Sequence, residues 1–251
     1  AWIKSEPDLA RHEAVVLERA QMGDVHAPEV IAFDEFGAQT THPAVLMSKV
    51  SGTVDLHPAD MDDWLKQQAI TLNKIHQLPT NHFEWRYVDW FDSAELSVPS
   101  WSQQPNVFDE LIDILGRPRP TVPHVFLHRD YHPTNVLWEA GHLTSVVDWV
   151  NGCIGPAMID VGHCRLNLAS LFGMEAADRF LYHWRKFARA KHYSAWWDIC
   201  AFANGDTFSD ALEIYGGWAD FNKTDVTLEN LARNLDELAK TLLMNFKYSA
   251  S

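Results

Sequence analysis

Three cysteines in 251 residues, Cys153, Cys164 and Cys200, with no C-x-x-C pair among them, argue against a disulfide scaffold or a zinc knuckle and suit a reducing cytoplasm. Long apolar runs are also missing. None approaches the roughly 20 residues that span a bilayer, and no signal peptide is recognisable, so a soluble protein without a membrane partner is expected. Positive charge is scarce: 20 Lys and Arg against 34 Asp and Glu give a net charge of −14. With no basic stripe to grip a phosphate backbone, nucleic acid is excluded as a partner. The imbalance sits mostly in residues 1–150, at net −12, while residues 151–251 carry −2. A nearly balanced second half gives no support to a strongly polycationic partner there, although a local acidic cluster is compatible with it. Finally, neither G-x-G-x-x-G nor G-x-x-x-x-G-K-[ST] occurs, so no phosphate-cradling glycine loop is recognisable.

What the chain does have is bulk and pattern. Its length allows roughly three quarters of the extended surface to be buried, in one large or two modest cores. Eleven tryptophans are present, and Trp85, Trp90 and Trp101 fall in one Pro-dotted connector that should pack over a lobe or line a pocket. Ser5-Glu6-Pro7-Asp8 reads as a helix start, followed by Leu9, Glu13, Val16, Leu17 and Ala20 on one face. Val30–Asp34 and Ala44–Ser48 read as two antiparallel strands. A helix starting at Pro58 carries Met61, Trp64, Leu65, Leu72 and Ile75, and a shorter one covers Val107–Leu115. After Asp160, helices are expected around Leu166–Leu171, Ala176–Ala190, Ser194–Ala203, Phe208–Tyr215 and Thr227–Tyr248.

The chemistry concentrates in His128-Arg129-Asp130-Tyr131-His132-Pro133-Thr134-Asn135. Two β-type runs follow, Asn135–Trp138 and Leu143–Val147, separated by Glu139-Ala140-Gly141-His142, which is a hairpin signal. A hairpin returns Asp148 to the neighbourhood of Asn135. One carboxylate and one amide oxygen suffice for Mg²⁺ when nucleotide phosphates complete its shell, and Asn135 and Asp148 fit those roles. Asp130 stays free to orient or accept the proton of an attacking hydroxyl. The spacing H-R-D-x-x-x-x-N is that of the protein-kinase catalytic loop.

At these residues the chain resembles the aminoglycoside phosphotransferase and choline kinase-like family. His128-x-Asp130-x-His132-Pro133-x-Asn135-Val136-Leu137 is similar to its catalytic loop, and Val146-Val147-Asp148-Trp149 to its metal-binding segment. Gly155–Val161 resembles the block whose aspartate, here Asp160, braces that loop. Weaker likeness extends to Leu72–Pro79 and Leu46–Gly52. The resemblance implies an α+β, protein kinase-like two-lobe fold: an incomplete small N-lobe over 1–51 and a larger, mainly helical C-lobe over 52–251. It also implies catalytic roles for Asp130, His128 and His132, with His128 shaping the loop, and contact with adenine at the backbone of Ser48 to Val50. Glu13 would pair with the basic residue that grips the nucleotide phosphates. The family's glycine loop and that basic residue lie upstream of the helix near Pro7, so an N-terminal truncation is expected, with weakened or lost nucleotide binding; Lys4 lies very close to the helix start. The implied activity is Mg²⁺-dependent transfer of the terminal phosphoryl group of ATP or GTP to a hydroxyl of a small polar molecule, such as an aminoglycoside, amino alcohol or sugar.

Two other classes remain open on the residues themselves. Alternating His128, Asp130 and His132 could ligate a metal in a hydrolase, with Asp148, Asp160 and His163 drafted to help. A kinase-like binding module without catalysis is the other. His142 and His163 read as surface or packing residues.

Overall fold

A computed structural model describes residues 2–3, 7–188 and 193–249. The chain begins with a three-stranded antiparallel sheet of order β1-β3-β2, made from β1 (Trp2–Ile3), β2 (Val30–Asp34) and β3 (Ala44–Met47). The helix α1 (Pro7–Ala20) lies between β1 and β2 in the chain and packs on β2 and β3. Its apolar stripe, Ala10, Ala14, Val16, Leu17 and Ala20, is buried, and Glu13 is buried with it. The expected cap at Ser5, and Lys4, lie outside the described residues.

A bridge between Thr53 and Trp138, with N···O distances of 3.0 and 2.8 Å, ties the chain leaving this sheet to the second lobe. There α2 (Met61–Ile75) starts three residues later than Pro58, because the Asp60 side chain accepts the N–H of Asp63 and so sets the cap. Next come α3 (Pro105–Leu115) and β4 (His124–Leu127), then a 3-10 turn at Pro133–Asn135. The hairpin of β5 (Val136–Glu139) and β6 (His142–Val146) follows. Ala140 and Gly141 turn it with φ of 50° and 78°, the pair of positive values that a two-residue hairpin needs. β7 (Cys153–Pro156) pairs antiparallel with β4.

The remaining helices are α4 (Met158–Phe172), α5 (Met174–Phe187), α6 (Ala195–Ala203), the single turn α7 (Gly217–Asp220) and α8 (Leu228–Ser249). Everything in α4 from Met158 to Leu171 except Asn167 is buried, so this helix is the axle around which α5, α6 and α8 pack. One apolar core runs from Val16 and Leu17 of α1 through both lobes. Among the described residues no helix is long and apolar enough to cross a membrane.

The helix expected over Phe208–Tyr215 does not form. Phe208 is buried against Phe108 and Phe202, while the Asp210 carboxylate accepts the N–H of Ser100. These tertiary anchors hold an open loop, and the i, i+4, i+7 spacing of Phe208, Leu212 and Tyr215 mimics a helical stripe.

Candidate active site

The loop from His128 to Asn135 links β4 to β5, and a buried carboxylate beneath it sets its shape. Asp160, in the first turn of α4, accepts the N–H of Arg129 through Oδ1 at 2.8 Å and that of His128 through Oδ2 at 2.9 Å. His76, just past α2, meets Oδ2 at 3.1 Å. Burial opposes ionisation of Asp160, but the His76 bond and the two N–H donors outweigh it and hold the carboxyl below its usual range. Arg129 has φ of 73°, a left-handed conformation that a bulky residue adopts only when its surroundings impose it. Its buried guanidinium lies 3.6 Å from the centroid of Trp90 and donates to Asn204 Oδ1 at 2.8 Å. The aromatic connector thus holds the loop through the Arg129 side chain, while Asp160 holds it through the backbone.

His128 has no face toward substrate. It is fully buried, with Nε2 3.0 Å from Val147 O and Nδ1 accepting the N–H of Asp130, and burial pushes its pKa down. With both nitrogens occupied it ties the loop to the end of β6, and neither nitrogen is open to a metal ion. Asp130, by contrast, opens onto a cleft of about 510 Å³. Burial opposes its ionisation too, but a hydrogen bond from His163 Nε2 to Oδ1 at 3.0 Å and the nearby imidazoles keep it ionised well below the usual carboxylate range. His132 Nε2 lies 3.6 Å from the same oxygen. Burial lowers the His132 pKa to about 4, so its ring is neutral at pH 7.

The hairpin places the other two groups. Val147 N–H donates to Asn135 O at 2.9 Å, in register with the Val136–Val146 pair, so Asp148 follows directly after the residue paired with Asn135. Asp148 is exposed and has φ of 62°, which aspartate tolerates better than most residues. The Asn135 NH₂ group faces only acceptors: Asp130 O at 2.9 Å, His132 Nε2 at 3.2 Å and Asp130 Oδ2 at 3.4 Å. That pattern assigns the amide orientation and leaves Oδ1 without a bond within the described residues. An amide oxygen and a carboxylate are the hard donors that Mg²⁺ takes, so this pair fits that ion.

Toward the first lobe, Ser48 N–H is spent on Glu29 O at 2.8 Å and Ser48 Oγ accepts Glu29 N–H at 2.9 Å. The Ser48 N–H is therefore engaged with Glu29, whereas the N–H of Val50 makes no bond within the described residues. Glu13 sits on α1, which reaches the stretch after Asp148: His12 Nε2 lies 2.6 Å from Gly152 O. A Cβ on Gly152 would meet Val16 Cγ1 at 2.5 Å, so helix and segment are in direct contact.

Two residues given no part in phosphoryl transfer by the sequence lie at this site. His163 is a packing residue only by its burial; it is the hydrogen-bond partner of Asp130. His76 steadies Asp160. The spacing Asp160 to His163 was a usable signal, since residues three apart share a helix face, and the face carrying Asp160 must look at the loop. The cleft is walled by α4, by the open loop including Asp206, Glu213 and Tyr215, and by Trp218 and Leu231. Among the described residues no Lys or Arg lines it.

The phosphotransferase enzyme family model matches residues 4–194. The N-acetylmuramate/N-acetylglucosamine kinase of Neisseria meningitidis serogroup B is 25% identical over 125 residues, which is 49% of this chain and 34% of that protein. The match thus spans about a third of the relative's length. Among solved structures, aminoglycoside phosphotransferase APH(4)-Ia superimposes with a TM-score of 0.59 at 14% identity, covering 96% of this chain and 83% of that one. Amicoumacin kinase hAmiN, solved with AMP-PNP, Ca²⁺ and Ami, gives 0.55 at 14% identity over 92% and 77%. APH(3'')-Id from Streptomyces rimosus, solved with ADP and streptomycin, gives 0.54 at 12% identity over 79% and 83%. At such identities the superpositions speak for the fold alone, and the match over 4–194 for the family. Fold, loop and family match agree that this chain, with its α+β protein kinase-like architecture, belongs to the phosphotransferase enzyme family.

Proposed function

We propose that this protein transfers the terminal phosphoryl group of ATP or GTP, with Mg²⁺, to a hydroxyl of a small polar acceptor bound in the cleft beside Asp130. What supports this reading is the hairpin register, which sets the backbone of Asp148 next to Asn135, together with the bond from the Asn135 amide to Asp130 O. Asn135 has its NH₂ pinned and its oxygen free, Asp148 is delivered beside it by the hairpin register, and Asp130 opens onto the cleft. Asn135 and Asp148 would hold the ion, which when bound neutralises charge on the phosphates. Asp130, kept ionised, orients the acceptor hydroxyl and takes its proton as the oxygen bonds to phosphorus. Most of the rate gain in such a site comes from positioning, which is what the bracing by Asp160, His128 and Arg129 serves.

The nucleotide base would rest near the free N–H of Val50, and Glu13 would orient a basic residue toward the phosphates. The lining of the cleft supports one acceptor class. Asp130, Asp206 and Glu213 face it, with no Lys or Arg among the described residues, which favours a neutral or cationic polyol, amino alcohol or amino sugar over an anionic one. Nucleotide complexes of the structural relatives, with ADP for APH(3'')-Id and AMP-PNP for amicoumacin kinase, support a nucleotide donor.

The test is transfer of ³²P from γ-labelled ATP or GTP to a panel of neutral, cationic and anionic sugars and amino alcohols. Asp130→Asn should lower turnover by about 10²-fold or more while nucleotide affinity stays within twofold. A fully active Asp130→Asn would refute the assignment.

A further inference from the structure

The cleft beside Asp130 holds a donor set whose chemistry differs from that of the oxygen-only pair Asn135 and Asp148. We propose that Asp130, His132 and His163 form a binding site for a divalent transition-metal ion of the zinc class, and that an ion there blocks phosphoryl transfer. The blocking, though not the binding, rests on the phosphotransferase reading above.

One ligand atom from each of the three residues lies within 4.8 Å of the others. Measured from Asp130 Oδ1, His163 Nε2 is at 3.0 Å and His132 Nε2 at 3.6 Å. Tetrahedral ligands at the usual zinc distance of about 2.0–2.1 Å stand roughly 3.3 Å apart, so small side-chain adjustments close the site. The His132 ring is already supported from outside. His132 Nδ1 lies 2.9 Å from Thr134 Oγ1, and Asn135 donates to His132 Nε2, which marks that nitrogen as the lone-pair side. The Nε2 proton of His163 must leave when the ion enters, and the buried Nδ1, which has no partner, can take one. All three residues line the open cleft, so an ion can enter and a fourth position faces solvent.

Two imidazoles and one carboxylate suit Zn²⁺, Co²⁺, Ni²⁺ or Cu²⁺, whereas Mg²⁺ selects oxygen donors. The two ions are therefore sorted by ligand type. Phosphotransfer itself needs no imidazole on Oδ1 of Asp130, so His163 is left unexplained by that chemistry alone. An ion held by Oδ1 withdraws the carboxylate from the acceptor hydroxyl and occupies the place where that hydroxyl must sit.

The experiment is a Co²⁺ titration of the whole chain in millimolar Mg²⁺, followed by visible ligand-field absorption. Wild type should take up one equivalent, which Zn²⁺ displaces and Mg²⁺ does not. His163→Gln and His132→Gln, each checked for folding by circular dichroism, should weaken uptake by more than about 100-fold, beyond the loss typical of a missing outer-sphere partner. Asp148→Asn should bind Co²⁺ as wild type does. Absence of uptake by wild type, equal uptake by His163→Gln, or loss of uptake in Asp148→Asn overturns the site. Zn²⁺ should also suppress phosphate transfer in wild type, and leave whatever rate His163→Gln retains unchanged. Bound Zn²⁺ without suppression overturns the blocking. Nucleotide binding, measured separately, reports on the phosphotransferase reading, which can fail while Co²⁺ uptake stands.

Discussion

Replacing Asp160 by Asn isolates the charge and one acceptor beneath the catalytic loop while keeping the side chain's shape. The wild-type carboxylate serves three donors from a fully buried position: the N–H groups of His128 and Arg129, and His76. In its better orientation the amide oxygen replaces Oδ2 and keeps His128 N–H and His76, while its NH₂ confronts the N–H of Arg129. An orphaned buried N–H costs about 1–3 kcal/mol, and two remaining bonds weakened from charged to neutral cost about 1 kcal/mol each. Relief of the buried charge offsets part of this. The expected loss is about 2–4 kcal/mol, a large share of a typical 5–15 kcal/mol total. Denaturant unfolding should show it as a lower midpoint at unchanged slope. The pH dependence carries a sign. The Asp160 carboxyl is depressed below its ordinary 3.8 in the folded state, so its contribution is complete above that value. It is lost as pH falls through the lower folded value. The gap between wild type and Asp160→Asn should therefore be full at pH 7 and shrink below about pH 4. A gap under about 1 kcal/mol at pH 7, or one that widens in acid, would refute the bracing role.

Three further outcomes are expected. Arg129→Ala should cost about 2–4 kcal/mol in the same unfolding assay, because it removes a desolvated stack on Trp90 and the bond to Asn204; Arg129→Lys should recover only part, lacking the planar face. Gly152→Ala should destabilise by about 1–3 kcal/mol through the clash with Val16. In a Val16→Ala background that added cost should largely vanish, and a double-mutant cycle with no coupling would contradict the contact.

Much of the site could be read from the chain because its parts are local. The loop lies within eight residues, and the hairpin that brings Asp148 to Asn135 is spelled by two β-type runs around Ala140-Gly141. The bracing by Asp160 rested on resemblance, and its geometry is two N–H bonds across about thirty residues. His163 was harder to read as a partner of Asp130, since α4 is buried nearly all round and its polar stripe of Asp160, His163, Asn167 and Ser170 is set among apolar residues. His128, expected to shape the loop, has its nitrogens engaged by the backbone of Val147 and Asp130. The loop over Phe208–Tyr215 failed as a helix because contacts to Ser100 and Phe108, distant in sequence, decide its path. No local pattern encodes such anchors.

The central claim is that Asn135 and Asp148 hold the cation that draws a nucleotide to Asp130. Asp148→Asn tests it most directly, because asparagine tolerates φ near +62° as aspartate does and the substitution removes charge without straining the backbone. Nucleotide affinity, measured by equilibrium dialysis with and without Mg²⁺, should rise with the ion in wild type and stay flat in Asp148→Asn. Equal affinities for the two proteins in Mg²⁺, or no nucleotide binding by wild type, would contradict the account.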